Sequence, residues 1–424
     1  MNTVVQMTGG VCSITPNFPA PLAGFGRGSP FARISSPLEA NVLLFTQGST
    51  KFLIVQLDVL SVGFTFREKL LHNLTGLLRD EELFVVASHT HFAPALDPNL
   101  PELGEHDRQY AENVLKSVTA LCMSIMLDVH LTGCEASYAK AAASHSINRR
   151  KQGFAPRFGF PPFKRSVLRL PNAEGPKDDN IKVLVFNSIQ EQKALGVIIS
   201  YPCHPVGNPD PDAVSADYPG VLRGRARAML GDGIPVVFLP GFSGNIRPNS
   251  VTKFPKSPIQ MLHRLINGSV FKQFSVPDWK LWMQGLSDVF ASAVHGEQKH
   301  IHFGPLEAGR VTIPFSSLME EVDARSISFQ ALSFGSDLLV LGISAEVVIE
   351  YQKILSEHMG RWSNILTTGY IDGVAAYLPI DTMLDGGGLE VLSPGYSLEN
   401  GRFKIGLSQI VSCQVKDLLK NLRV

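Results

Sequence analysis

Leu83-Phe84-Val85-Val86-Ala87-Ser88-His89-Thr90-His91 is an apolar, β-branched run that ends in two histidines one residue apart. Its near-continuous apolarity is that of a short strand covered on both faces. Residues i and i+2 of a strand point to the same face, so the pattern predicts that the imidazoles of His89 and His91 converge. Two further runs end in the same way. Ile198-Ile199-Ser200-Tyr201-Pro202-Cys203-His204-Pro205 reads as a strand that finishes in histidine. Leu339-Val340-Leu341-Gly342-Ile343-Ser344-Ala345-Glu346 reads as a strand that finishes in glutamate and is followed by a helix. In open α/β sheets, ligands bind at the carboxyl ends of the strands. Imidazole nitrogens and a carboxylate around one open position describe a catalytic zinc site. Each residue also has an ordinary alternative. His204, flanked by prolines, could be a turn residue, and Glu346 a first-turn acid stabilised by its helix dipole.

Outward from these motifs, apolar β-branched runs recur at 52–60, 83–87, 182–186, 195–201, 234–239, 338–343 and 365–370. Helical periodicity occupies 108–124, 218–230, 281–294 and 347–359. Alternating strands and helices predict an α/β fold, with mixed β-sheets covered by helices and a metal site at the carboxyl ends of strands. Residues 144–176 and 247–280, rich in Pro, Lys and aromatic side chains, read as long loops of the kind that cover or line binding sites. Phe154, Phe158, Phe160 and Phe163 are candidates for the wall of an acyl pocket.

Composition narrows the function. The 424 residues are 44% apolar, ample for a large core. Thirty-eight basic residues balance 38 acidic ones, so nothing points to a nucleic-acid partner, and a small-molecule substrate is expected. Five scattered cysteines without a C-x-x-C read as reduced thiols. The first residues carry no basic-then-apolar leader, and no apolar run reaches the length of a membrane span. A cytoplasmic location is expected. Asn73-Leu74-Thr75 and Asn267-Gly268-Ser269 are then chance matches to the glycosylation sequon.

Other hydrolytic signatures fail. H-E-x-x-H is absent, and the metallo-β-lactamase pattern would need Asp and His where Ala93 and Pro94 stand. Gly241-Phe242-Ser243-Gly244-Asn245 offers a serine, but Pro248 follows closely and no helix pattern begins after it. A turn of small residues there fits close approach of backbone to a ligand.

As a set, the motifs resemble the catalytic domain of the neutral/alkaline ceramidases. Ile14-Thr15-Pro16 with Pro21-Leu22-Ala23-Gly24-Phe25-Gly26 is similar to the family's N-terminal signature. Ser88-His89-Thr90-His91-Phe92-Ala93-Pro94 resembles T-H-T-H-S-G-P, Asn148-Arg149 its N-R, and Cys203-His204-Pro205 its F-H-P. Gly244-Asn245-Ile246-Arg247-Pro248-Asn249 resembles G-D-V-S-P-N, and Ile343 to Glu346 the segment P-G-E. Residues 370–390 resemble the tyrosine-bearing segment that follows. The order matches along nearly the whole chain, implying a single catalytic domain over 1–424.

The resemblance implies one zinc ion (Zn2+) held by His89, His204, Glu346 and Tyr377. His91 would then handle protons or orient substrate, and Arg149 would contact the acyl or polar group. The pattern departs where Arg247 replaces the family's serine and Leu389 a tyrosine, and the family's C-terminal β-sandwich has no counterpart after the helix-like 407–422. The expectation is a zinc-dependent amidohydrolase that uses zinc-activated water on an N-acyl, lactam or ester bond, and not on ceramide. Arg247 would clamp a carboxylate or stabilise an oxyanion, its plain alternative being an ion pair with Asp217. The alternative function is a non-catalytic relative that binds a metal or a ligand.

Overall fold

Strands form where the apolar runs stand, and their pairing carries the ends of the three motif-bearing runs toward one place. The computed structural model describes residues 4–25, 30–127, 131–156, 163–252, 258–320, 325–392 and 401–422. Its largest sheet runs Val236–Leu239, Ala194–Ser200, Asn180–Ser188, Thr132–Ala142, Gln6–Ser13, Glu39–Gln47, Thr50–Leu57, Leu83–Ala87, with Lys299–Ile301 beside Thr132–Ala142. The first and last pairs on this path are parallel and the inner ones antiparallel, so the sheet is mixed.

This sheet does not lie flat. Gln6–Ser13 pairs along its length with Glu39–Gln47 but meets Thr132–Ala142 only at Gln6↔Gly133 and Met7↔Thr132. Beyond that junction the halves lie against one another. Val236 N–H donates to Asn41 Oδ1 at 3.0 Å. Gly196 sits so close to the other half that a Cβ there would stand 2.7 Å from Leu43. A second sheet, Leu306–Pro314, Ser326–Phe334, Leu338–Ile343, Asn364–Thr368, ends in a parallel pair. One buried cluster joins Phe45, Phe52, Phe84 and Val86 of the first sheet to Leu332, Phe334, Val340 and Leu366 of the second. Burying each such side chain stabilises by about 1.5–3 kcal/mol, so this shared core fixes the two sheets together.

Helices cover the outer faces. Arg108–Met126, N-capped by Asp107, whose carboxylate accepts from Tyr110 N–H, packs against the first half. Asp217–Leu230 and Val276–His295 pack on the second half, and Tyr351–Met359 and Leu407–Lys420 on the second sheet. The fold is the expected mixed α/β architecture. No helix among the described residues is long and apolar enough to cross a membrane.

Two stretches differ from the expected loops. Most of 144–176 is an antiparallel hairpin, Ser146–Pro156 with Phe163–Asn172. Much of this ribbon is solvated, so it carries charged residues where a buried strand carries apolar ones. Residues 247–280 hold short strands, the helix Pro258–Asn267 and the start of Val276–His295. Glu346 precedes no helix directly. It opens a two-residue strand, and the helix begins at Tyr351.

Candidate metal centre

His89, His91, His204 and Glu346 all come to one buried point, past the carboxyl ends of their strands. The convergence of the first pair has a different cause from simple strand alternation. The strand stops at Ala87, and His89 adopts a left-handed backbone with φ 63°. That conformation costs a non-glycine residue about 1–2 kcal/mol and persists only where the surroundings fix it. Here Ser88 N–H donates to Leu57 O at 2.8 Å and His91 N–H to Pro205 O at 3.2 Å. His204 lies past Ser200, with its N–H on Ile246 O. Glu346 pairs in parallel with Tyr377, which seats that tyrosine beside the carboxylate.

The hydrogen bonds orient every ring alike. His89 Nδ1 meets Leu60 O at 2.8 Å, His91 Nδ1 meets Gly24 O at 3.0 Å, and His204 Nδ1 meets Ser243 O at 2.7 Å. A carbonyl can only accept, so each Nδ1 carries a proton, and a neutral ring in that tautomer has its lone pair on Nε2. These lone pairs face one another. His91 Nε2 stands 3.3 Å from His89 Nε2, and Glu346 Oε2 stands 2.9 Å from His204 Nε2 and 3.5 Å from His89 Nε2. The nitrogens of His89, His91 and His204 lie within 4.8 Å of one another. Donors about 2.0–2.1 Å from a tetrahedral zinc are about 3.3 Å apart, so this set has the right spacing and chemistry to hold such an ion. Burial pushes the His204 imidazole down to about 4, which keeps it neutral. Burial, then His89 and His204, hold His91 well below the usual range.

Around this point the other expected residues divide. Arg149 is buried and reaches the site. Its Nη2 donates to Tyr377 Oη at 3.1 Å and to Gly244 O at 2.7 Å, and its Nε to Glu390 Oε1 at 2.9 Å. Burial works against its charge, but Tyr377, Glu390 and Glu346 more than offset this. Glu390, placed in sequence only as the end of a motif, is the carboxylate that joins Arg149 to Arg150. Tyr370 was not singled out in sequence. Its ring stacks on His89 with centroids 4.0 Å apart, and its hydroxyl meets Ser243 Oγ at 3.1 Å. Its place at the end of the 365–370 run, like the other strand-end residues, was the available signal.

Ser243 is fully buried, and its carbonyl, not its hydroxyl, faces His204. Gly244 does serve a close approach, but to the backbone bearing Glu346, 2.5 Å from where a Cβ would stand. Arg247 forms no ion pair with Asp217, whose carboxylate instead accepts from the N–H groups of Gly207, Asn208 and Tyr218. Its guanidinium lies 4.2 Å over the Phe271 ring and lines a cavity of about 410 Å³. Phe154 and Phe163 are exposed and line no part of that cavity. Phe158 and Phe160 lie outside the described residues. The aromatic wall is Phe25, Phe92, Phe271 and Phe274.

No family model matches the chain, and no curated protein does. Among solved structures, the chain is similar to neutral ceramidase from Pseudomonas aeruginosa, with a TM-score of 0.73 at 15% identity over 100% of this chain and 76% of that one. It is similar to the same degree to a ceramidase complexed with C2, again with a TM-score of 0.73, 15% identity and coverage of 100% and 76%. The chain therefore has a ceramidase-like fold.

Proposed function

We propose that the chain is a zinc-dependent hydrolase that cleaves an amide (N-acyl or lactam) or ester bond of a small molecule other than ceramide. The observation that carries this is the meeting of acceptor with acceptor. Three Nε2 lone pairs and one carboxylate oxygen share a buried point, with every Nδ1 already committed to a carbonyl. Such a cluster is unfavourable unless a cation lies among its lone pairs. The ligands would be His89, His204, Glu346 and Tyr377, with His91 Nε2 turned to the same point beside them.

When bound, zinc supplies a Lewis acid for the scissile carbonyl and acidifies water to give a nucleophile near neutral pH. The protein does the rest. The carbonyls of Leu60 and Ser243 hold His89 and His204 in the tautomer that leaves Nε2 free. Arg149 orients the Tyr377 hydroxyl, and Glu390 holds Arg149. Hydrolysis adds water across the bond: the acyl carbon gains hydroxyl and the leaving nitrogen or oxygen gains hydrogen. With Nδ1 bonded to Gly24 O, His91 Nε2 is the atom placed to carry that proton. Tyr370, stacked on His89, closes one side against water. The ceramidase-like fold supports the same reaction class, by analogy of fold.

The test is metal analysis of purified protein, with turnover of a panel of N-acyl amines, lactams and esters before and after chelation. We expect about one zinc per chain and chelator-sensitive cleavage of at least one panel member. Stoichiometric zinc in both His89→Ala and Glu346→Ala would overturn the ligand assignment. Zinc without any cleavage would favour the non-catalytic alternative.

A further inference from the structure

We propose that the cavity beside the centre takes substrates in which an apolar body carries a carboxylate, and that Arg247 binds that carboxylate. The proposal rests on the hydrolytic reading of the neighbouring residues and names its substrate class.

The cavity adjoins the centre through its own walls. The Phe25 ring stands 5.0 Å from His91 and 5.9 Å from Phe92, and Val206 and Gly207 lie two and three residues after His204 in the chain. Its volume, about 410 Å³, is that of a site for a small organic ligand. Four phenylalanines make the wall apolar. Among the described residues, the charged side chains lining it are Arg247 and Lys272, and no carboxylate does. Lys272 Nζ already has Asp278, at 2.7 Å.

Arg247 has no such partner among the described residues, and its Nε is buried without a hydrogen bond. Other buried arginines of this chain are each met by a carboxylate: Arg67 by Asp80 and Asp372, Arg149 by Glu390, Arg223 by Asp58 and Glu39. Arg247 instead lines a cavity in which a ligand can bring an anion. The guanidinium lies over the Phe271 ring, and it presents paired N–H donors that match a carboxylate's two oxygens. The local field has the right sign. Arg247 is pushed down to about 9 by burial and then by Arg169 and Arg149, and Arg169 forms no ion pair among the described residues. A single planar cation above an aromatic wall suits a monoanionic carboxylate; a phosphate dianion calls for more converging donors.

Calorimetric titration of the full-length protein tests this, with N-octanoylglycine, its neutral isostere N-octanoylglycinamide, and octyl phosphate as probes. Zinc-loaded and chelator-treated protein are both titrated. We expect N-octanoylglycine to bind about tenfold or more tightly than the amide, from a charge-assisted pair, in both metal states. Arg247→Ala is expected to erase the preference and Arg247→Lys to keep part of it, with melting temperature checking that both fold. Equal binding of acid and amide to the wild type overturns the proposal, and needs no variant. So does a preference that survives in Arg247→Ala, or tighter binding of octyl phosphate than of N-octanoylglycine. The two readings fail differently. An Arg247-dependent preference with no zinc and no turnover leaves the carboxylate site and removes the hydrolase. Chelator-sensitive hydrolysis of acid and amide at equal kcat/KM leaves the hydrolase and removes the carboxylate site.

Discussion

Two buried polar clusters flank the short segment from Tyr370 to Asp372, and they are built on opposite plans. Both residues have left-handed backbones, φ 62° and 56°. Tyr370 stacks on His89 in the candidate metal centre. Two residues on, Asp372 serves a network of cations and anions. Arg310 Nη1 donates to Asp372 Oδ2 at 2.7 Å, and Arg67 Nη1 to Asp80 Oδ1 at 2.6 Å. Arg67 Nε stands 2.8 Å from Asp372 Oδ1, an ion pair without the angle of a hydrogen bond. The backbone carbonyl of Leu83 takes Arg67 Nη2. In that network donors face acceptors and charge balances. At His89, His91, His204 and Glu346, acceptors face acceptors. Burial and charge are common to both, so neither marks function by itself. Acceptors that face one another do, and they separate the centre from the network, where even Arg67 Nε and Asp372 Oδ1, which share no hydrogen bond, are opposite charges in contact.

The contrast can be broken most directly at the centre. His204→Ala or Glu346→Ala should abolish stoichiometric zinc and lower kcat/KM by about 10³-fold or more, roughly 4 kcal/mol of transition-state stabilisation. Full zinc content in either variant would remove the distinction. The network should fail in the other way. Asp372→Asn leaves the buried guanidiniums of Arg67 and Arg310 with the exposed Asp80 as their one shared anion, which costs about 3 kcal/mol of stability in denaturant unfolding. Zinc per folded chain should stay unchanged, and its loss would show the clusters to be one unit. Chelation sharpens the same point. Removing zinc from the wild type should lower stability by about 3 kcal/mol at a free metal level near 100 times Kd, and should leave His204→Ala unaffected. Equal shifts in both would place the stabilising metal elsewhere.

The legibility of the sequence follows the same division. Leu83–Ala87, Ala194–Ser200 and Leu338–Ile343 were readable because strands buried on both faces are apolar throughout. Ser326–Phe334 was not. Its Ser328, Gln330 and Ser333 are buried and serve Arg310, Leu83 and Trp362, so polar residues break the pattern from inside the core. The hairpin Ser146–Pro156 with Phe163–Asn172 was missed for the opposite reason, since much of it is solvated. Within the centre, His89, His204 and Glu346 stood out because imidazole and carboxylate are unexpected at the end of an apolar run. Tyr370 did not, because a tyrosine there reads as core, and it is also core. The left-handed turn at His89 has no sequence marker. That Arg247 meets no carboxylate among the described residues could not be read at all, because the absence of a partner is a property of the fold and not of a motif.

The smallest expected effect bears on the serine. If function follows unmet bonding, Ser243 should matter little to chemistry, because its hydroxyl is already used. It meets Tyr370 Oη at 3.1 Å, is fully buried, and has no imidazole nitrogen with which to share its proton. His204 takes the Ser243 carbonyl through Nδ1, and its Nε2 points to Glu346. Ser243→Ala should therefore cost about 1–2 kcal/mol, from the Tyr370 hydroxyl left without a partner. It should keep kcat/KM within about threefold of the wild type and retain zinc. A loss near 10³-fold with zinc still bound would make Ser243 the nucleophile. The hydrogen bonds at Tyr370 would then have hidden a reactive group, and a satisfied side chain could no longer be set aside in this fold.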